Sequence, residues 1–181
     1  MPVLDLMIPR PSDHDLIIIC CQESHKRKEF IERLDKYMLS HNCKQIDNFH
    51  MWEIFIVGYC KNSQQQLFNG AITTNKKACG VGKVLGNKGG VQMYFNYNDM
   101  YFNFIGTHLV HGQGNRIKRD EMAEDVIKAL KTERQEMDPD IICDYNFFMG
   151  DLNYRMDNTT FEEMINTDKI KMAPELIDLI D

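Results

Sequence analysis

Three polar clusters fall at the ends of apolar, strand-like runs: Gln22-Glu23, Gly106-Thr107-His108-Leu109 and Gly150-Asp151-Leu152-Asn153. Sheets gather functional side chains at strand ends, often from distant parts of a chain. Hydrolysis of a phosphate monoester asks for such a set: a divalent cation to neutralise phosphate charge, a base to orient water, and donors for the non-bridging oxygens. Glu23, His108, Asp151 and Asn153 match those types. Each also has a plainer reading when taken alone. Gln-Glu at a strand end can be a solvated edge, a lone histidine can be a packed structural residue, and Asp151 or Asn153 can cap a turn after glycine.

The elements that must position these residues can be read from periodicity. Asp15–Gln22 is short, apolar and β-branched, as a strand buried on both faces would be. Lys26 to Ser40 sets Phe30, Ile31, Leu34, Tyr37 and Met38 at helical spacing among charged residues, which predicts an amphipathic helix lying on a sheet. From Met51 to Leu109 strand signals repeat over Trp52–Tyr59, Gln66–Thr73, Ala78–Val84, Gly90–Tyr97 and Tyr101–Leu109. Turn-like breaks part them, including Thr74-Asn75-Lys76-Lys77 and Asn98-Asp99, and the short connections predict an antiparallel meander. Arg116 to Lys131 reads as a second amphipathic helix with Ile117, Ala123, Val126, Ile127 and Leu130 inward. Ile141–Met149 reads as a last strand, and the tail as helical around Phe161–Ile165 and Glu175–Leu179. Helices mixed with a long antiparallel run predict an α/β (α+β) sandwich of mostly antiparallel sheets flanked by helices.

Composition narrows the class. The chain has 181 residues, 43% of them hydrophobic and 27% charged, which suits one globular domain with a buried core. A formal net charge of -6 argues against nucleic-acid binding through bulk electrostatics. The six cysteines form no C-x-x-C pair and mostly sit in or beside apolar runs, so reduced, mostly buried thiols are expected. No stretch approaches the roughly 20 apolar residues of a membrane helix, and the start of the chain lacks a basic segment followed by a long apolar run. The expectation is a cytoplasmic protein, or one peripheral to a membrane.

Order and context add what the single clusters lack. Gly86-Asn87-Lys88-Gly89-Gly90-Val91, then Thr107-His108-Leu109, then Phe147-Phe148-Met149-Gly150-Asp151-Leu152-Asn153-Tyr154-Arg155 resembles the signature series of the inositol polyphosphate 5-phosphatases, within the endonuclease/exonuclease/phosphatase superfamily. The family patterns are G-N-K-G-[AG]-V, a histidine-leucine strand end, and [FW]-x-G-D-x-N-Y-R. The resemblance implies the superfamily's sandwich fold and Mg²⁺-dependent removal of the 5-phosphate from inositol polyphosphates or phosphoinositides. Carried over by position, it makes Glu23 a Mg²⁺ ligand, sets His108 on the scissile phosphate, has Asp151 orient and deprotonate the attacking water, and has Asn153 donate to the phosphoryl oxygens. Asn87 and Lys88 fall in the glycine-rich loop, which can bind substrate or only make a tight turn. Arg116 and Arg119, with Lys118, open the helix after the His108 strand and read equally as phosphate binders or as a solvated face. Arg155 can hold Asp151 or a substrate phosphate.

The family's first strand, with its T-W-N asparagine, has no counterpart in this chain, nor do its P-x-W-C-D-R segment and closing S-D-H pair. Residues 1–181 are therefore expected to form a single partial domain, incomplete at both ends. Ser12-Asp13-His14 spells S-D-H but precedes the Gln-Glu strand, where the family has a variable loop, so it is read as coincidence. Two other outcomes stay open: an inactive fragment that binds anionic inositol headgroups or a partner, and a nuclease of the same superfamily. The acidic charge and the G-N-K-G-G-V and N-Y-R contexts count against the nuclease.

Overall fold

A computed structural model describes residues 2–80, 87–132 and 143–155. Helix α1 (Pro2–Met7) leads through a 3-10 turn at Pro11–Asp13 into β1 (Leu16–Cys21), followed by α2 (Arg27–Ser40), β2 (Cys43–Met51) and β3 (Ile54–Lys61). A 3-10 segment at Asn62–Leu67 passes the chain to β4 (Phe68–Ala78), β5 (Gly89–Tyr97) and β6 (Met100–His108); α3 (Arg116–Ala129) then crosses over to β7 (Tyr145–Asp151). The strands form two sheets, one in the order β1-β3-β2 and one in the order β4-β5-β6-β7. Pairing is antiparallel except for β6 with β7, which the α3 crossover makes parallel.

Alternation along β3 explains the layering. Phe55, Val57 and Tyr59 face α2, where they meet Leu34, Tyr37 and Met38. Ile54 and Ile56 face the other way, into the layer between the sheets, with Val91, Met93, Phe95 and Phe104. On the far side Val126 of α3 and Leu130, just past its end, pack on Ile105. Helix, sheet, sheet and helix thus stack as an α/β sandwich, as the mixed pattern predicts. Burying each large apolar side chain contributes about 1.5–3 kcal/mol.

Several elements differ from the reading of the sequence. The doubly buried strand is β3, whereas β1 is an edge strand whose six residues are only half-buried. Both are apolar runs, and lateral position in a sheet leaves no trace in such a run. The expected meander is divided between two sheets, and β2 and α1 lie where no element is predicted. In β2 the half-buried pattern mixes Lys44, Gln45, Asp47 and Asn48 with Ile46 and Phe49, which weakens its period. The expected turn at Thr74–Lys77 lies inside β4, paired to β5 through Lys77↔Gly90. Ile117 and Ile127 are 72% and 47% exposed; Met122 and Arg119 share the inward face with Val126 and Leu130 instead. The tail helices, residues 81–84 of the Ala78–Val84 strand and residues 141–142 of the last strand lie outside the described residues. The Asn98-Asp99 turn is as expected, with both residues at positive φ, 51° and 62°, as a two-residue hairpin requires. All six cysteines are free thiols, as expected, but only Cys43 and Cys60 are buried and the other four are half-buried.

The sheets come into tight contact at Gly106, where a Cβ would lie 2.1 Å from Cys20 Sγ. Burial pushes the Cys20 thiol up to about 12, so this sulfur packs rather than reacts. Gly106→Ala should destabilise the chain by about 1–3 kcal/mol through overpacking, seen as a lower denaturant midpoint. Pairing it with Cys20→Ala should recover most of the loss; a double variant no better than the single one would contradict this contact.

Candidate active site

The register places one row of residues across three strands: Gly89 of β5 opposite His108 of β6, and His108 opposite Asp151 of β7. The tip of β1 reaches the same row, because a Cβ on Gly150 would meet Gln22 Nε2 at 2.9 Å as well as Thr107 O at 2.1 Å. Gly150 also holds a φ of 124°, so both conformation and space demand glycine there. Glu23 and Asn153 adopt left-handed φ of 55° and 53°, an uncommon state for residues with a side chain. The local backbone is thus turned sharply at both polar clusters.

These turns bring four side chains together. Glu23 Oε1 lies 3.8 Å and Asp151 Oδ2 3.5 Å from His108 Nε2, and Lys88 Nζ contacts the same nitrogen. His108 and Lys88 are buried, while the carboxylate side chains of Glu23 and Asp151 are 68% and 45% exposed. The cluster therefore has a dry basic floor and a wet acidic mouth. Burial pushes the His108 pKa down, Lys88 adds to this, and Asp151 and Glu23 oppose it. Burial likewise lowers Lys88, against the pull of Glu23, Asp151 and Glu53. With Lys88 donating to Nε2, the ring proton belongs on Nδ1, which is buried and has no hydrogen-bond partner among the described residues.

Asn153 is tied to this group. Its backbone N–H donates to Asp151 Oδ1 at 3.0 Å, its Nδ2 donates to Leu109 O at 3.1 Å, and its Oδ1 accepts from Arg155 Nη2 at 3.1 Å. Asp151 is thereby oriented by the residue two positions on, and Arg155, exposed, rests on Asn153 rather than on Asp151. Asn87 is half-buried in the turn beside Lys88.

Arg116 and Arg119 belong to α3. Arg116 is exposed at the first position of α3. Arg119 is 1% exposed and donates to Val110 O at 3.3 Å and Gly112 O at 2.9 Å. Its guanidinium also sits 5.5 Å from the Tyr154 ring, whose hydroxyl donates to Asp120 Oδ1 at 2.6 Å. The observed contacts of Arg119 brace the loop after β6 against the Asp151–Arg155 segment. Ser12-Asp13-His14 lies at the opposite end of β1 from Glu23, a separation of about 20 Å for six extended residues. Sequence reasoning missed Glu53, on the β2–β3 turn, and no motif marks it.

Among the described residues no three His, Cys, Asp or Glu side chains form a metal site by themselves. The exposed Glu23 carboxylate, with Asp151 nearby, instead suits a hard divalent cation that keeps part of its water shell and is completed by oxygens from outside the chain.

The chain is 30% identical over 165 residues to a human phosphatidylinositol 3,4,5-trisphosphate 5-phosphatase 1, covering 87% of this chain and 14% of that protein. It is 29% identical over 174 residues to the Xenopus laevis protein of the same name, covering 91% and 17%. Its fold is similar to the inositol polyphosphate 5-phosphatase domain of SPsynaptojanin, solved with inositol (1,4)-bisphosphate and a calcium ion. That match has a TM-score of 0.70 and 25% identity, over 83% of this chain and 46% of the other. The chain thus spans about a seventh of its curated relatives and under half of the solved domain. The family model described as endonuclease/exonuclease/phosphatase family 2 matches residues 3–179, and the chain belongs to that family.

Proposed function

We propose that this chain carries a hydrolytic centre for the 5-phosphate of inositol polyphosphates or phosphoinositides, working with Mg²⁺ in the cytoplasm or at the cytoplasmic face of a membrane. The observation that carries the reading is the convergence of Glu23, Lys88, His108 and Asp151 on one strand-end row. The names of its relatives, phosphatidylinositol 3,4,5-trisphosphate 5-phosphatases, supply the substrate class.

Each residue then has a task. Asp151, held by the Asn153 N–H, orients the attacking water and takes its proton as the water oxygen bonds to phosphorus; the bond from phosphorus to the ring 5-oxygen breaks, and that oxygen leaves as a hydroxyl with a proton from water. The second Nδ2–H of Asn153, without a partner among the described residues, donates to a phosphoryl oxygen. His108 contacts the scissile phosphate from the floor. Lys88 turns from His108 to the incoming phosphate, whose charge attracts its Nζ. Glu23 holds the cation, which when bound withdraws charge from the phosphoryl oxygens. Arg116, which acts on Tyr154, and Arg155, the residue after it, are both exposed and would meet the other phosphates of the ring.

A second reading, binding of an anionic inositol headgroup without turnover, draws on the chain's 46% share of the solved 5-phosphatase domain. Phosphate release separates the two. With a 5-phosphorylated inositol phosphate and Mg²⁺, the chain should release phosphate, chelation should abolish it, and Asp151→Ala should slow it by about 10²–10⁴-fold. Equal rates for wild type and Asp151→Ala would sink the hydrolytic reading, and binding without release would leave only the second. Independently of turnover, Lys88→Met should raise the His108 pKa toward its ordinary value, because one lowering charge goes while Asp151 and Glu23 still raise it. Ring-nitrogen NMR titration reads this, and an unchanged pKa would contradict the Lys88–His108 contact.

A further inference from the structure

Trp52 is the only tryptophan in the chain, and the fold gives it no evident purpose. It takes the first position of the two-residue turn between β2 and β3 with a φ of 51°. That left-handed state favours Gly, Asn or Asp and strains a bulky side chain. The indole gains little from burial in return, being 50% exposed. A large aromatic held in a strained turn and left in water points to a partner outside the chain.

The surroundings give that partner a charge. On one side of Trp52 lies a hollow of about 520 Å³ lined by His25, Lys26, Arg27 and Lys28. On the other lies one of about 430 Å³ lined by His50 and Lys76. Lys26, Lys28 and Lys76 are exposed, and Arg27 donates to Trp52 O at 3.3 Å, so the start of α2 braces the turn. The acidic groups here are engaged: Glu29 pairs with Arg33 at 3.2 Å, and Glu53 with His25 at 2.6 Å. A chain with a net charge of -6 thus concentrates cations around one exposed indole. Three of them, Lys26, Arg27 and Lys28, sit at a helix N-terminus, where the macrodipole disfavours positive charge. Helix stability therefore does not account for their presence.

This surface borders the candidate active site. Lys26 follows Glu23 by three residues, the Ser24 N–H donates to Glu53 O at 3.3 Å, and Glu53 acts on buried Lys88. A phosphoinositide keeps its acyl chains in the bilayer while its headgroup is hydrolysed, so the border of the site must meet the lipid surface. We infer that the Trp52 turn, with Lys26, Arg27, Lys28 and Lys76, is a docking surface for an anionic lipid bilayer. The indole seats at headgroup level and the cations meet the negative leaflet. The inference rests on the phosphoinositide reading above and adds the surface that presents the site to the lipid.

The single tryptophan makes the test direct. The 181-residue chain is mixed with vesicles of phosphatidylcholine alone or with phosphatidylserine, and Trp52 emission and co-sedimentation are followed. The phosphatidylserine vesicles should sediment the chain and shift emission to shorter wavelength; phosphatidylcholine alone should do neither. The triple variant Lys26→Gln, Arg27→Gln, Lys28→Gln should weaken partition by about a hundredfold, roughly fivefold per charge, and Trp52→Ser should weaken it with circular dichroism unchanged. These vesicles contain no phosphoinositide, so the result is read independently of hydrolysis. The inference is overturned if phosphatidylserine vesicles leave wild-type emission unmoved, if soluble glycerophosphoserine gives the same shift, or if neither variant weakens partition.

Discussion

Everything at the candidate site depends on how closely two sheets can approach. β1 belongs to one sheet and β6 and β7 to the other, so Glu23 meets His108 and Asp151 only if the sheets nearly touch at that end. Gly106 supplies the contact by leaving room for Cys20, and Gly150 does the same for Gln22. A methyl group at either position would occupy space already filled. The glycine before Asp151 is therefore a packing requirement as well as a turn residue, and the carboxylate it precedes is delivered to the site by the same constraint.

That closeness sets the electrostatics. His108 and Lys88 are withdrawn from water and lose basicity by burial, while Glu23 and Asp151 remain wet at the mouth. A buried lysine resting on a histidine whose other nitrogen has no partner is an incompletely satisfied arrangement, and such groups carry a desolvation cost of about 1–3 kcal/mol. A phosphate at the cluster would offer Lys88 a charged acceptor in place of the neutral ring nitrogen. Asn153 and Arg155 hold the Asp151 segment in place beside it.

How much of this was legible in the sequence follows from the kind of signal each feature leaves. The four-layer architecture and both long helices show in periodicity, because a helix on a sheet must repeat near 3.6. Glu23, His108, Asp151 and Asn153 could be singled out because each ends an apolar run or sits in a dense motif. Lateral order was not legible: β1 and β3 are both apolar runs, and nothing local tells an edge from a centre. β2 escaped because its face toward water is rich in charge and amide, and Thr74–Lys77 read as a turn because polar residues on an exposed edge strand resemble one. The Lys88–His108 contact and the brace made by Arg119 escaped for a different reason. Both depend on register across strands or on which face of α3 turns inward, and only the assembled sheets decide that.

Action of the strand-end cluster on the 5-phosphate is tested position by position by phosphorus NMR of inositol 1,4,5-trisphosphate incubated with the chain and Mg²⁺. The resonance of the 5-phosphate should decline as inorganic phosphate grows, while the 1- and 4-phosphates persist. Loss of a different phosphate, or a spectrum unchanged with time, would contradict it.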